Sequence, residues 1–178
     1  FQVVGTQVFI LDCYTQSGSG LDHFAEVIEQ SRNQHGWKDG VDFVPHDARV
    51  KEWGTGRTRV ETMQSYKLNP QVVPMASKLD GINAARKTLA RCVFHPRTED
   101  TGISALEQYR REWDDDKKAF KATEVHDWTS HLADAFRYLS MAWRTAPEPV
   151  VEKPKPVFAT IEDGYAIAPA LPGQRKRY

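Results

Sequence analysis

Two acids and an imidazole fall along one side of a single stretch, HDWTSHLADAFR, His126–Arg137. Read as a helix, Asp127, His131, Asp134 and Tyr138 recur at i, i+4, i+7 and i+11 and make one stripe. Leu132, Ala135, Phe136, Leu139 and Trp143 make a second stripe beside it that can face a core. Carboxylates and an imidazole beside a buried face are partly desolvated, which favours them as metal ligands. The competing reading is a surface helix with scattered polar residues.

Asp47 is the second anchor. It stands in Pro45-His46-Asp47-Ala48-Arg49, just past the short apolar run Val41–Pro45, which reads as a strand. Ligands of α/β sheets usually bind at strand ends. A carboxylate there, facing Asp127, His131 or Asp134, can hold one or two hard divalent cations. Mg²⁺ takes oxygen ligands and keeps open water positions, and two such ions can activate a water and stabilise a leaving oxygen in phosphodiester hydrolysis. Taken alone, Asp47 reads more readily as the start of a turn. Asp12, in Ile10-Leu-Asp-Cys-Tyr14, is a reserve ligand that shares a face with Val8 and Ile10 if that strand is regular.

The Gly54-Thr-Gly-Arg-Thr58 segment is not a Walker phosphate loop, because Gly-Lys-Ser/Thr is absent, and it lacks the dinucleotide glycine spacing. A helix start preceded by glycines, with Arg57 and Arg59 beside it, still suits a phosphate contact. His23, His35 and His95 have no zinc spacing, and no Ser-His-Asp or Cys-His arrangement stands out. Asp114–Asp116 reads as a solvated turn rather than a metal site.

The elements that must position these residues alternate. Val8–Tyr14 reads as a strand, with a turn and the tail of an earlier strand before it. Ser17–Gly20 breaks the pattern. Leu21, Phe24, Ala25 and Ile28 have helical spacing, with Gly36 as a stop. Thr58 and Glu61 form a capping-box pattern that starts a helix running to about Lys67. Gln71–Met75 is a brief strand, constrained by Pro70 and Pro74. Ser77 or Asp80 caps a helix through Leu89. Cys92–His95 is a short apolar run ending at Pro96, Ile103–Trp113 reads as helical, and Ala119–Val125 reads as a strand or extended loop. Strands alternating with helices predict α/β layers around a central mixed sheet. After Arg144, Pro147, Pro149, Pro154 and Pro156 predict a stiff linker, ending in the basic Arg175–Arg177. The expected division is therefore 1–144 as the domain and 145–178 as linker and tail.

The 178 residues suffice for one domain with a real core. Hydrophobic residues at 40% and charged residues at 27% are ordinary for a globular chain, and no apolar run reaches the ~20 residues that span a bilayer. The formal net charge of zero removes any argument for nucleic-acid binding from overall charge, leaving only local basic clusters. Cys13 and Cys92, far apart in apolar stretches, read as buried free thiols in a reducing compartment. An opening Phe and no visible signal peptide suggest a fragment whose natural start lies upstream.

Val41–Glu61, VDFVPHDARVKEWGTGRTRVE, followed by Ser130–Leu139, SHLADAFRYL, resembles the nuclease domain of tailed-phage large terminase subunits, over about residues 1–144. The resemblance implies an RNase H-like fold and a Mg²⁺- or Mn²⁺-dependent endonuclease that cuts concatemeric double-stranded DNA during packaging, in the host cytoplasm. It implies an upstream ATPase domain, a portal protein and a small terminase subunit as partners, and no membrane. Asp47 matches the family's second acid. On the last helix, Ser130 and His131 stand where many relatives carry two Asp residues, and Asp134-Ala135 is kept. The third ligand is thus Asp134 or His131, with Asp127 more distant, and an imidazole shifts preference toward Mn²⁺. The family's first acid precedes the strand read at Val8–Tyr14, so the fold is expected to lack its first strand or strands here. Alternatives are another RNase H-like nuclease of the resolvase type, or a non-catalytic module docking a portal or DNA through its tail.

Overall fold

The computed structural model describes residues 1–145. The expected linker and tail lie almost wholly outside the described residues. The chain is α/β. Strands β1 (Gln2–Val4) and β2 (Gln7–Ile10) form an antiparallel hairpin, with Val3 opposite Val8. Gly5, at φ 59°, takes the left-handed turn position that a side chain would disfavour. β2 also pairs in parallel with β5 (Cys92–Phe94). A second parallel pair joins β3 (Asp42–Val44) to β4 (Pro70–Val72). A third, antiparallel pair joins β6 (Arg111–Asp114) to β7 (Ala119–Glu124). Where one central sheet was expected, the described residues form three hydrogen-bonded groups.

The helices start and stop where local chemistry allows. Helix α1 (Leu21–His35) ends at Gly36, which at φ 65° returns its N–H to the Arg32 carbonyl. Helix α2 (Arg59–Ser65) opens on the capping box: Thr58 Oγ1 accepts from the Glu61 N–H, and Glu61 accepts from the Thr58 N–H at 2.7 Å. Helix α3 (Lys78–Leu89) is capped by Ser77, whose hydroxyl accepts from the Asp80 N–H. The stretch expected to be helical from Ile103 to Trp113 is divided. A wide turn at Glu99–Ile103 leads into a short helix α4 (Ser104–Gln108), and Arg111 already lies in a strand. That strand's partner is β7, across a turn in which Asp114 Oδ1 accepts from the Asp116 and Lys117 N–H groups. The three aspartates are a turn, as their sequence suggested.

The last helix, α5 (Trp128–Ala142), organises the packing. It lies against α3, α4 and β3. Phe136 and Trp143 pack with Val8 and Ile10 into one core, bordered by Phe94, Leu106 and Leu139. The Trp143 indole N–H donates to Thr88 Oγ1 at 3.1 Å, fixing the end of α5 to the end of α3. A second core gathers Ala25, Met63 and Leu68 with Val44, between α1, α2 and β3. Ala133 and Ala142 are the buried alanines of α5 and Ala135 is exposed, so the core-facing stripe is rotated from the one expected. Both cysteines are free thiols, and burial pushes Cys92 up to about 11. Among the described residues no helix is long and apolar enough to cross a membrane.

Truncation of Phe136 to Ala is expected to cost about 3–5 kcal/mol, and Thr58→Ala about 1 kcal/mol. Urea unfolding with an unchanged m-value measures both. Equal losses would show that α5 is not the centre of the core.

Candidate functional site

Asp47 sits in a single 3₁₀ turn, His46–Arg49, which begins immediately after β3 and Pro45. Ala48 beside it is buried and holds the turn on the body of the protein. Asp47 itself is about half exposed, and its carboxylate accepts from Arg59 Nη1 at 3.2 Å. Arg59 also reaches Glu52, at 3.4 Å. One guanidinium thus joins Asp47 to the loop that follows it.

That loop is closed by its own backbone. Lys51 bridges Thr58, the Glu52 N–H donates to the Arg57 carbonyl at 2.9 Å, and the Gly56 N–H donates to the Glu52 carbonyl at 2.8 Å. Gly56, at φ 66°, supplies the left-handed residue that lets the chain turn back. Of the two arginines expected to hold phosphates, Arg59 is engaged by acids. The Arg57 side chain makes no hydrogen bond or ion pair among the described residues.

The acids of α5 are separated by role. Asp127 is the N-cap: its Oδ1 accepts from the Thr129 hydroxyl at 2.6 Å and from the Thr129 N–H at 2.9 Å. Its other oxygen pairs with Arg110 at 3.3 Å. The Thr129 hydroxyl, then the Thr129 N–H, and then the charge of Arg110 hold this carboxyl below the ordinary carboxylate value.

Asp134 accepts from Arg137 Nε at 3.1 Å. Arg137 lies flat across α3 because position 81 is glycine; a Cβ there would stand 2.7 Å from the Arg137 Cγ and Cδ. Asp134 lines a cavity of about 610 Å³ between α3, α4, the β6–β7 hairpin and α5, together with Tyr109, Arg86 and Arg111. Burial pushes the Tyr109 phenol up, and the nearby charge of Asp134 adds to the effect. Asp47 is not among the residues lining this cavity.

His131 is exposed, with its ring edge-on to His126 at 5.4 Å, and makes no hydrogen bond or ion pair among the described residues. Asp12 accepts from the Cys13 N–H just beyond the end of β2 rather than within it.

Asp47, Asp127 and Asp134 therefore each lie in an ion pair of their own. The donor types suit a hard divalent cation. Among the described residues no group of three or more His, Cys, Asp or Glu side chains gathers as a metal site. The sequence pattern identified the stripe on α5 but not the guanidinium partner of each acid. Arg59 was visible as a basic residue near a helix start, and nothing local linked it to Asp47. Neither a protein-family model, a curated protein nor a solved structure matches the chain.

Asp127→Asn keeps a good cap while removing the charge. Because the folded carboxyl is depressed, its charge stabilises the fold fully above the unfolded value near 3.8, and this contribution is lost as pH falls through the lower folded value. Urea midpoints of wild type and Asp127→Asn should therefore differ at neutral pH and converge in acid. A gap that widens on acidification would contradict this.

Proposed function

We propose that this chain is the larger part of a divalent-metal-dependent DNA endonuclease domain of RNase H-like fold, of the kind found in phage DNA-packaging motors. The observation that carries the reading is the packing of α5 against β3, because Asp47 stands just past the end of that strand. The two segments that carry the terminase resemblance, far apart in sequence, thus belong to elements in contact. Asp47 is the acid at the strand end. His131 is the favoured partner from α5, since it is exposed and uncommitted where Asp134 is taken by Arg137. Arg57 serves as a phosphate contact.

The sheet edges support an incomplete site. Among the described residues β1 pairs with β2 alone and β3 with β4 alone, so each keeps one open edge. The rings of Phe1 and Phe43, which belong to these two edges, stack at 6.2 Å. One further strand between β1 and β3 would satisfy both edges. It would join five strands into a single mixed sheet and deliver another acid beside Asp47. In this reading that strand comes from outside the described residues, as do the ATPase domain and the segments that would meet portal and small subunit. Mg²⁺ or Mn²⁺ supplies the activated water in such enzymes.

In the complete product of the gene, Mn²⁺-dependent nicking of supercoiled plasmid should fall at least about a hundredfold on Asp47→Ala, since loss of a residue that merely orients a ligand already costs up to that much. Undiminished nicking would overturn the reading. The 178-residue chain alone is expected to cut poorly or not at all. Robust nicking by it would place the remaining acid within the chain, with Asp12 the first candidate.

A further inference from the structure

Trp53 is the most exposed of the large hydrophobic side chains among the described residues, with its indole wholly open to solvent. An indole left in water forgoes the burial that normally stabilises it, on the order of 2 kcal/mol or more for a large apolar side chain. Its loop does not let it fold back. Two backbone hydrogen bonds across the turn and the Lys51–Thr58 bridge hold residues 51–58 as a closed projection. Arg59 pairs with both Glu52 and Asp47, which places the loop beside the candidate acid.

The same closed loop carries two cations, Lys51 two residues before Trp53 and Arg57 four residues after it. Neither side chain makes an ion pair or hydrogen bond among the described residues, and both are near enough to Glu61 to act on its charge. A solvent-exposed aromatic ring on a hydrogen-bonded loop that also carries two cations without ion pairs has the chemistry of a single-strand nucleic-acid contact. A π-face accepts any base, and the cations meet the phosphates on either side.

We propose that Trp53 stacks on an unpaired base of bound DNA, with Lys51 and Arg57 on the adjoining phosphates, so that this loop holds the strand next to Asp47. The proposal rests on the endonuclease reading for its substrate, but its test does not depend on cutting. A paired base offers its faces to its stacked neighbours, so the contact belongs to single strands or to steps that have come apart.

Binding of a fluorescently labelled oligo-dT strand, and of a labelled duplex of equal length, is followed by anisotropy in EDTA with the whole chain. Trp53→Ala is expected to weaken single-strand binding about tenfold or more, the size of one lost base–aromatic stack, and to affect the duplex far less. Trp53→Phe should restore most of the affinity. Arg57→Ala should weaken both and reduce the salt slope by about one. The oligo-dT strand should quench wild-type tryptophan emission more than that of Trp53→Phe.

Equal single-strand affinity of wild type and Trp53→Ala, or no binding of wild type to either DNA, overturns the stacking role. So does equal weakening of strand and duplex, which would make the loop a general docking surface. The endonuclease reading thus fails on nicking and the stacking role fails on binding, and the two failures are distinguishable.

Discussion

The packing of α5 across two separate strand groups is the constraint on which the molecule depends. On one side Phe136 and Trp143 close the core over β2. On another the same helix meets β3, whose Val44 belongs to the second core with Ala25, Met63 and Leu68. The strands are short, three to six residues each, and the pairs β3–β4 and β6–β7 have two strands apiece. Two-stranded pairs are marginal in water without a packed face. The placement of β3–β4 must therefore come from side-chain burial, against α5 and within the second core, rather than from the ladder alone.

This dependence explains how polar chemistry survives beside a core. The buried face of α5 carries Thr129, Ser130 and Ser140 among its apolar residues, and each hydroxyl finds a local acceptor: Asp127, the Asp127 carbonyl and the Phe136 carbonyl. Among the described residues no buried side-chain polar atom lacks a partner. The helix can thus lie close to the sheet at its polar N-terminal end without leaving groups unpaired. Its acids remain at the rim, where water and guanidinium groups share them. Such exposed ion pairs contribute little to stability, typically below about 1 kcal/mol, so they hold geometry loosely and exchange partners at small cost. For Asp47 the exchange is between Arg59 and whatever cation or strand a complete site would bring.

The loop after Asp47 shows the opposite balance. Its backbone is tightly hydrogen-bonded while Trp53, Lys51 and Arg57 project from it without mutual contacts. An ordered frame lowers the backbone part of the entropic cost of positioning these side chains, while their own rotamer freedom is lost only on binding. Asp47, Glu52 and Arg59 act as the joint between this frame and the end of β3.

How much of this was legible beforehand follows the range of the interactions. The Thr58–Glu61 box and the Gly36 stop span at most a helical turn, and the amino-acid order alone specified them; for α3 it left Ser77 and Asp80 open as caps. The turn that follows Asp114 and the amphipathic character of α5 were also legible. Periodicity defines a face only to within a broad arc, so it named Ala135 as core where packing against α3 and α4 buried Ala133. It also ran a helix through Arg111, because nothing local announces that β7 waits across the hairpin. The partners of the acids were out of reach for the same reason. Asp47 and Arg59 are twelve positions apart, and Arg110, the partner of Asp127, lies before the β6–β7 hairpin. Local hydrogen bonds and side-chain period are written into consecutive residues. Which charges meet, and which sheet edges stay open, are settled when distant segments pack.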